Sequence, residues 1–260
     1  MKNVALITGA SGGLGREFAR LFARDGYNLL LTGRSEEKLL PVKTEAERTY
    51  GVTAEIFACD LAEENAANAI YAFAGGIRAE VTALVNNAGF GDFCELYRAD
   101  EKKLADMVQV NTAAPTRLTR LFLPAMVQRK SGVIINVASV AAFAPGALMS
   151  VYYATKAYLL SFSEGLHQEV KKCGVKVAAL CPGPTQTGFE SAASLEKSGL
   201  FKNLKIASAK KTAEYGYKRA KKGKAVSVYG FFNRFLTVLM KIAPRALVRK
   251  CVYNLQKEKK

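Results

Sequence analysis

The sequence predicts an α/β fold: a doubly wound parallel sheet of about seven strands flanked by helices, one domain with a basic helical extension at its C-terminus. Three observations predict it. Short apolar runs at 3–7, 29–32, 53–58, 82–85, 133–137, 175–180 and 225–228 alternate with helical segments. These runs are too apolar for either face to meet water, and strands buried on both faces and separated by helices make a parallel sheet. The first run also breaks directly into a glycine-rich turn that opens a helix. A chain of 260 residues can bury a substantial core, and no internal repeat, low-complexity tract or long linker divides it.

The first element, Asn3-Val4-Ala5-Leu6-Ile7, leads into Thr8-Gly9-Ala10-Ser11-Gly12-Gly13-Leu14-Gly15, and a helical pattern with Phe18, Leu21 and Phe22 on one face follows. Strand, glycine turn and helix N-terminus in that order build an anion site. Small residues let backbone N–H groups approach a pyrophosphate, and the helix dipole favours its charge. Glycine also serves tight turns in proteins that bind nothing. Two other functional readings of this stretch fail. Gly9-Ala10-Ser11-Gly12-Gly13 fits a nucleophile elbow, but the only histidine, His167, falls on a later helix and the strands that precede an elbow are missing. A triphosphatase phosphate loop ends in Gly-Lys-Ser/Thr, where this chain has Gly15-Arg16-Glu17.

The second strand ends in Leu31-Thr32-Gly33-Arg34-Ser35. An acid at this place would accept from the 2′-hydroxyl of NAD, whereas an arginine accommodates the 2′-phosphate of NADP. Arg34, with Ser35 as a second phosphate contact, therefore predicts NADP(H) over NAD(H); the other reading is that Arg34 caps a loop.

Further along, Ser139 precedes Tyr152 by thirteen positions, and Tyr152 precedes Lys156 by four. A tyrosine and a lysine at that spacing share one helix face. There the ammonium stabilises phenolate and lowers a pKa of about 10, making a proton donor for a carbonyl. In isolation the pair is also an ordinary surface pair.

With these blocks in order, the chain closely resembles the short-chain dehydrogenase/reductase family from residue 3 to about residue 190. The matching residues are Thr8, Gly9, Gly13 and Gly15; Asp60-Leu61; Asn86-Asn87-Ala88-Gly89; Asn111; Ser139, Tyr152 and Lys156; then Pro182-Gly183 and Thr187. The resemblance implies a Rossmann-type fold in which Tyr152 is the general acid or base. Lys156 would hold the nicotinamide ribose and lower the tyrosine pKa, Ser139 would hydrogen-bond the substrate carbonyl, and Asn111 would position a proton-relay water. Without the resemblance, Asn111 reads as a helix-bending polar residue.

The cofactor site implied comprises Thr8, Gly9, Ser11, Gly12, Gly13, Leu14, Gly15, Arg34, Ser35, Asp60, Leu61, Asn87, Ala88, Gly89, Tyr152, Lys156, Pro182, Gly183, Thr185 and Thr187. Asp60 would contact adenine, though an aspartate at a strand end also makes a helix cap. Hydride transfer with a tyrosine proton needs no metal. Cys59, Cys94, Cys173, Cys181 and Cys251 have no metal-binding spacing, and one histidine completes no zinc set. A segment at about 188–210 would cover the substrate, and its Phe189, Leu195, Leu200, Phe201, Leu204 and Ile206 imply a hydrophobic one. Cys181-Pro182-Gly183-Pro184-Thr185 and the basic tail resemble the branch with hydroxysteroid dehydrogenases and 3-ketoacyl reductases. Tyr153, Phe143 and Phe93 line the pocket or belong to the core. The family commonly pairs through the helices bearing Asn111 and Tyr152, which implies a homodimer or homotetramer. Some relatives only sense or scaffold nucleotides, but those usually have a damaged serine, tyrosine or lysine.

Charge sets the last quarter apart. Residues 197–260 hold 18 lysines and arginines against Glu214 and Glu258, which accounts for the whole net charge of +16, while residues 1–196 balance 20 bases with 20 acids. Within 231–260, Phe231, Phe235, Val238, Leu239 and Ile242 recur at helical spacing, opposite Arg234, Lys241 and Arg245, and Pro244 interrupts the pattern. Four readings compete. The first has the apolar stripe packed on the body or on a second subunit; the second lays it on an anionic membrane surface. The third makes it a lid whose lysines attract an acidic group on the substrate. Nucleic acid is not expected, since a basic patch alone is weak evidence. The run is too short and too charged to span a bilayer. The N-terminus enters the first strand at once, so no signal peptide and a cytoplasmic location are expected.

Overall fold

The computed structural model describes residues 1–187 and 206–257. Seven strands form one parallel sheet: β1 (Val4–Thr8), β2 (Asn28–Gly33), β3 (Ala54–Ala58), β4 (Val81–Asn86), β5 (Gly132–Val137), β6 (Val175–Cys181) and β9 (Val226–Val228). Their spatial order is β3-β2-β1-β4-β5-β6-β9, so the winding reverses between β1 and β4. Ligands bind at that switch point in open sheets, beyond the carboxyl ends of the strands.

Alternation along β1 sends Ala5 and Ile7 to one face and Val4 and Leu6 to the other, and all four are fully buried. On the first face they meet α1 (Gly13–Arg24), α2 (Glu36–Tyr50) and α7 (Ala209–Lys221) through Phe18, Phe22, Leu39, Val42 and Tyr217. On the second they meet α3 (Ala66–Gly76), α5 (Ala114–Gln128) and α6 (Ser150–Val170) through Ile70, Leu118, Met126 and Leu166. Each such side chain contributes about 1.5–3 kcal/mol, which is why the strands read as continuous apolar runs.

Two features depart from the sequence reading. β3 is an edge strand in which Ala54 alone is fully buried, and its Glu55 forms an ion pair with Lys43. A separate two-stranded pair, β7 (Thr185–Gln186) with β8 (Ala207–Ser208), is too short to show any periodicity.

The chain after β9 forms α8 (Phe231–Ile242) and α9 (Arg245–Gln256), with Pro244 between them. Val248 and Val252 of α9 pack with Met107, Met149, Tyr152 and Tyr153. The apolar face of α8 does the opposite of what packing on the body requires. Phe231, Phe235, Val238, Leu239 and Ile242 are exposed, whereas Thr237 is buried. No helix among the described residues is long and apolar enough to cross a membrane.

Candidate active site

The cofactor half of the site is built by backbone sterics. Gly9 and Gly13 adopt φ of 62° and 53°, in the left-handed region. A Cβ on Gly15 would stand 2.2 Å from the Gly9 carbonyl oxygen, so only glycine fits there. The turn is bolted to the one after β4. Thr8 Oγ1 accepts from the backbone N–H groups of Asn87 and Ala88, both at 2.9 Å. Asn87 Nδ2 donates to the carbonyls of Thr8 and Gly9 at 2.9 and 3.1 Å.

At Gly12 the N-terminus of α1 has no side-chain cap, and a Cβ there would meet nothing within 4 Å. Ser11 beside it is exposed and Leu14 buried. Thr187 closes this cradle: a Cβ on Gly13 would come 2.8 Å from Thr187 Cβ. Thr185 Oγ1 donates to the Gly183 carbonyl at 2.8 Å, and the Pro182 carbonyl accepts from Val140 N at 2.9 Å. Arg34 is exposed at the end of β2 and has no hydrogen bond or ion pair among the described residues. Ser35 and Asp60 do local work: Ser35 Oγ caps α2 by accepting from Lys38 N at 3.3 Å, and Asp60 Oδ1 accepts from Ala62 N at 3.0 Å. Leu61 is buried in the core below them.

The other half sits on α6, whose pitch aligns Tyr152 and Lys156. Lys156 Nζ lies 5.8 Å from the Tyr152 ring centre and donates to the Val137 carbonyl at 2.9 Å. Tyr152 is hydrogen-bonded to Ser139, and Ser139 Oγ also accepts from Ala141 N at 3.1 Å. Both helix residues are buried. Burial pushes the tyrosine up to about 12, outweighing the Ser139 hydrogen bond, and pushes the lysine down to about 8. This reverses the expected lowering of the tyrosine. The physical reason is that desolvation disfavours phenolate and ammonium alike.

Asn111 lies in a π-helical turn, Gln109–Ala113, that joins α4 (Glu101–Val108) to α5. Its Oδ1 accepts from Phe90 N at 3.1 Å, and its Nδ2 donates to the Phe90 carbonyl at 2.9 Å and to Thr155 Oγ1 at 3.0 Å. The bending residue and the positioned amide are thus one residue. A Cβ on Gly89 would stand 2.9 Å from Asn111 Oδ1 and 3.1 Å from Lys156 Nζ, so both groups crowd the same glycine.

Tyr153 and Phe143 line a pocket of about 510 Å³ together with Arg245 and Arg249, and the Tyr153 hydroxyl accepts from Gln256 Nε2 at 2.6 Å. Phe93 packs near Met107 and Met149. Of the covering segment, only Ile206 and the residues after it lie within the described part; Phe189, Leu195, Leu200, Phe201 and Leu204 lie outside it.

Sequence reasoning missed a buried polar chain below the site. Asn86 Nδ2 donates to Asn136 Oδ1 at 2.8 Å, and Asn136 Nδ2 donates to Ser163 Oγ at 2.8 Å. Asn86 and Asn136 are register partners in neighbouring strands, so a polar residue late in two adjacent apolar runs was the available signal.

A family model described as short chain dehydrogenase matches residues 3–198. The chain belongs to this family. It is 37% identical over 180 residues to a very-long-chain 3-oxoacyl-CoA reductase of Laccaria bicolor, covering 68% of this chain and 53% of that protein. Against the reductase of the same name from Anas platyrhynchos it is 36% identical, covering 68% of this chain and 58% of the relative. The chain therefore matches little more than half the length of these relatives. A short-chain dehydrogenase from Sphingobium yanoikuyae, solved in complex with NADPH, superposes with a TM-score of 0.80 at 28% identity, covering 94% of this chain and 97% of that one.

The residues of this chain fit a nicotinamide dinucleotide. The uncapped N-terminus of α1 leaves N–H donors for a pyrophosphate, and the glycines leave the room that side chains would fill. Among the described residues, no group of histidine, cysteine and acidic side chains could hold a metal.

Proposed function

We propose that the chain is an NADP(H)-dependent oxidoreductase that interconverts a ketone and a secondary alcohol on a hydrophobic substrate, steroid-like or acyl-type. The observation that carries this reading is the Ser139–Tyr152 hydrogen bond, buried beside Lys156 at the carboxyl ends of β4 and β5. The names of the curated relatives favour the acyl-type substrate, and the NADPH in the Sphingobium yanoikuyae complex favours NADP(H).

In this reading the glycine turn and the N-terminus of α1 hold the pyrophosphate, Arg34 takes the 2′-phosphate, and Thr187 orients the carboxamide. The bound cofactor supplies the hydride. Tyr152, protonated at pH 7 and held more firmly so by burial, donates the phenolic proton to the carbonyl oxygen as that oxygen gains charge. Ser139 donates a second hydrogen bond to the same oxygen and fixes the carbonyl against Tyr152. Lys156 binds the ribose hydroxyls and, once held there as ammonium, favours the phenolate left after transfer. Asn111 is a positioning residue, holding Thr155 and the Phe90 backbone around Lys156. The protein works in the cytoplasm and pairs as a dimer or tetramer through the helices bearing Asn111 and Tyr152; an open groove on α6 alone, lined by Ala157, Tyr158, Phe162 and Leu166, supports the α6 part of that face.

The test is NADPH oxidation against steroid, 3-ketoacyl and small aromatic ketones, with Tyr152→Phe as control. Turnover falling about 10³-fold in the variant, with NADPH affinity within about twofold, is the expected result. Turnover retained by the variant would refute the role of Tyr152. NADPH binding without turnover of any ketone would favour a nucleotide sensor, and tighter binding of NADH would refute the role of Arg34.

A further inference from the structure

Helix α8 is built inside out. On a helical wheel Phe231, Phe232, Phe235, Val238, Leu239 and Ile242 fall within an arc of about 120°, and all six face solvent, with Phe231 82% and Ile242 76% exposed. The side turned to the body carries Asn233, Thr237 and Met240 instead. Asn233 Nδ2 donates to the Tyr229 carbonyl at 2.8 Å and lies against Gly183, and Thr237 Oγ1 donates to Arg234 O at 2.9 Å. The helix therefore meets the body with two polar residues and Met240, which packs beside Met149 and Val248, and not with its apolar arc. A contiguous exposed patch of this kind marks an interaction surface.

Charge selects the occupant. Arg234 and Lys241 lie together beside one edge of the apolar arc, and from Phe231 to Lys257 the chain carries Arg234, Lys241, Arg245, Arg249, Lys250 and Lys257 with no aspartate or glutamate. Helix α9 adds an exposed stripe of its own, Leu247, Cys251 and Leu255, at four-residue spacing. A second copy would have to meet this surface with the same cation-rich face or with a body of balanced charge, since residues 1–196 hold 20 bases and 20 acids. An anionic lipid surface offers both complements, acyl chains for the arc and headgroup charge for its rim.

We infer that the exposed face of α8, flanked by α9, docks this protein on an anionic bilayer surface. The opposite side of the same helix adjoins the substrate end of the site. Lys241 Nζ lies 5.4 Å from the Phe143 ring centre, in the turn that follows Ser139, and Asn233 abuts Gly183.

Flotation of the full-length protein with vesicles tests this, using phosphatidylcholine alone and phosphatidylcholine with about three-tenths phosphatidylserine. Each is run at about 0.1 M and about 0.5 M salt. Wild type is expected to float with the anionic vesicles at low salt, and at least about tenfold less with neutral vesicles or at high salt. F235E/V238E is expected to lose binding while keeping its melting temperature and NADPH affinity; R234Q/K241Q, which leaves the apolar arc intact, is expected to weaken it several-fold. No flotation with anionic vesicles at low salt, or binding unchanged in both variants, would overturn the proposal. So would a dimer that F235E/V238E splits without any vesicle binding, which assigns the face to a second copy. Vesicle binding is read without turnover, so its failure is distinct from failure of the reductase reading.

Discussion

Helices α6 and α8 depart from the usual division of apolar inside and polar outside in opposite directions. α6 buries Thr155, Lys156 and Ser163. Each is satisfied from within the chain: Thr155 Oγ1 donates to the Tyr152 carbonyl at 2.7 Å, Lys156 to Val137 O, and Ser163 to the Leu159 carbonyl at 2.6 Å. Those bonds offset the cost of taking polar groups out of water. On α8 six large apolar side chains stand in water, and nothing among the described residues covers them. Where the chain completes a departure from the rule itself, as on α6, the departure builds a site. Where it leaves one incomplete among the described residues, as on α8, the completing surface we propose is a bilayer.

The largest expected effect tests the α6 side of this contrast. Lys156 has a native pKa lowered by burial to about 8, against 10.5 when free. Between those values the unfolded chain binds a proton that the native state does not, so stability attributable to this lysine rises with pH across that window and is absent below it. Denaturation of wild type and Lys156→Met from pH 8 to about 10.5 should show wild type gaining on the order of 3 kcal/mol relative to the variant. Parallel curves would mean that the ammonium is not desolvated. Next in size is Asn136→Ala, which removes one buried hydrogen bond from each of Asn86 and Ser163 and should cost about 2 kcal/mol in urea denaturation.

How much of this the sequence discloses depends on whether a property is local. The seven strands are legible because burial on both faces leaves unbroken apolar runs, and the glycine turn because Gly9, Gly13 and Gly15 answer steric demands of their immediate backbone. The alignment of Tyr152 with Lys156 follows from helix pitch alone. The direction in which Tyr152 titrates does not, because it depends on how completely α6 is covered by distant elements. The same holds for α9, where the amide of Gln256 reaches Tyr153 across 103 positions. Spacing shows that α8 has an apolar face, yet it cannot say that Asn233 and Thr237 turn inward. That orientation depends on distant elements: Gly183 against Asn233, the cluster that takes Met240, and Phe143 under Lys241.

The Gln256 contact gives the next smaller prediction, because it joins a helix with a covered face to α6. Tyr153→Phe removes the acceptor and leaves a buried amide unpaired, at a cost of about 1 kcal/mol. Tryptic cleavage at Arg249 and Lys250 should accelerate if that bond seats α9. An unchanged rate would mean that Val248 and Val252 hold the helix without it.

The smallest effect is the most discriminating for α8. Phe235 is a large aromatic whose truncation in a core would cost about 3–5 kcal/mol through lost burial and a residual cavity. In α8 it is 58% exposed, so little transfer free energy is forfeited and no cavity forms. Serine is about as good a helix former as phenylalanine. Phe235→Ser should therefore leave stability within about 0.5 kcal/mol of wild type, at low and high protein concentration alike. A loss above about 2 kcal/mol would show the arc to be packed against protein. A loss that appears at high protein concentration and shrinks on dilution would place a second copy there. Indifference to this substitution, at a residue so apolar and so regularly spaced, is what separates a face held for an external surface from one that the fold itself needs.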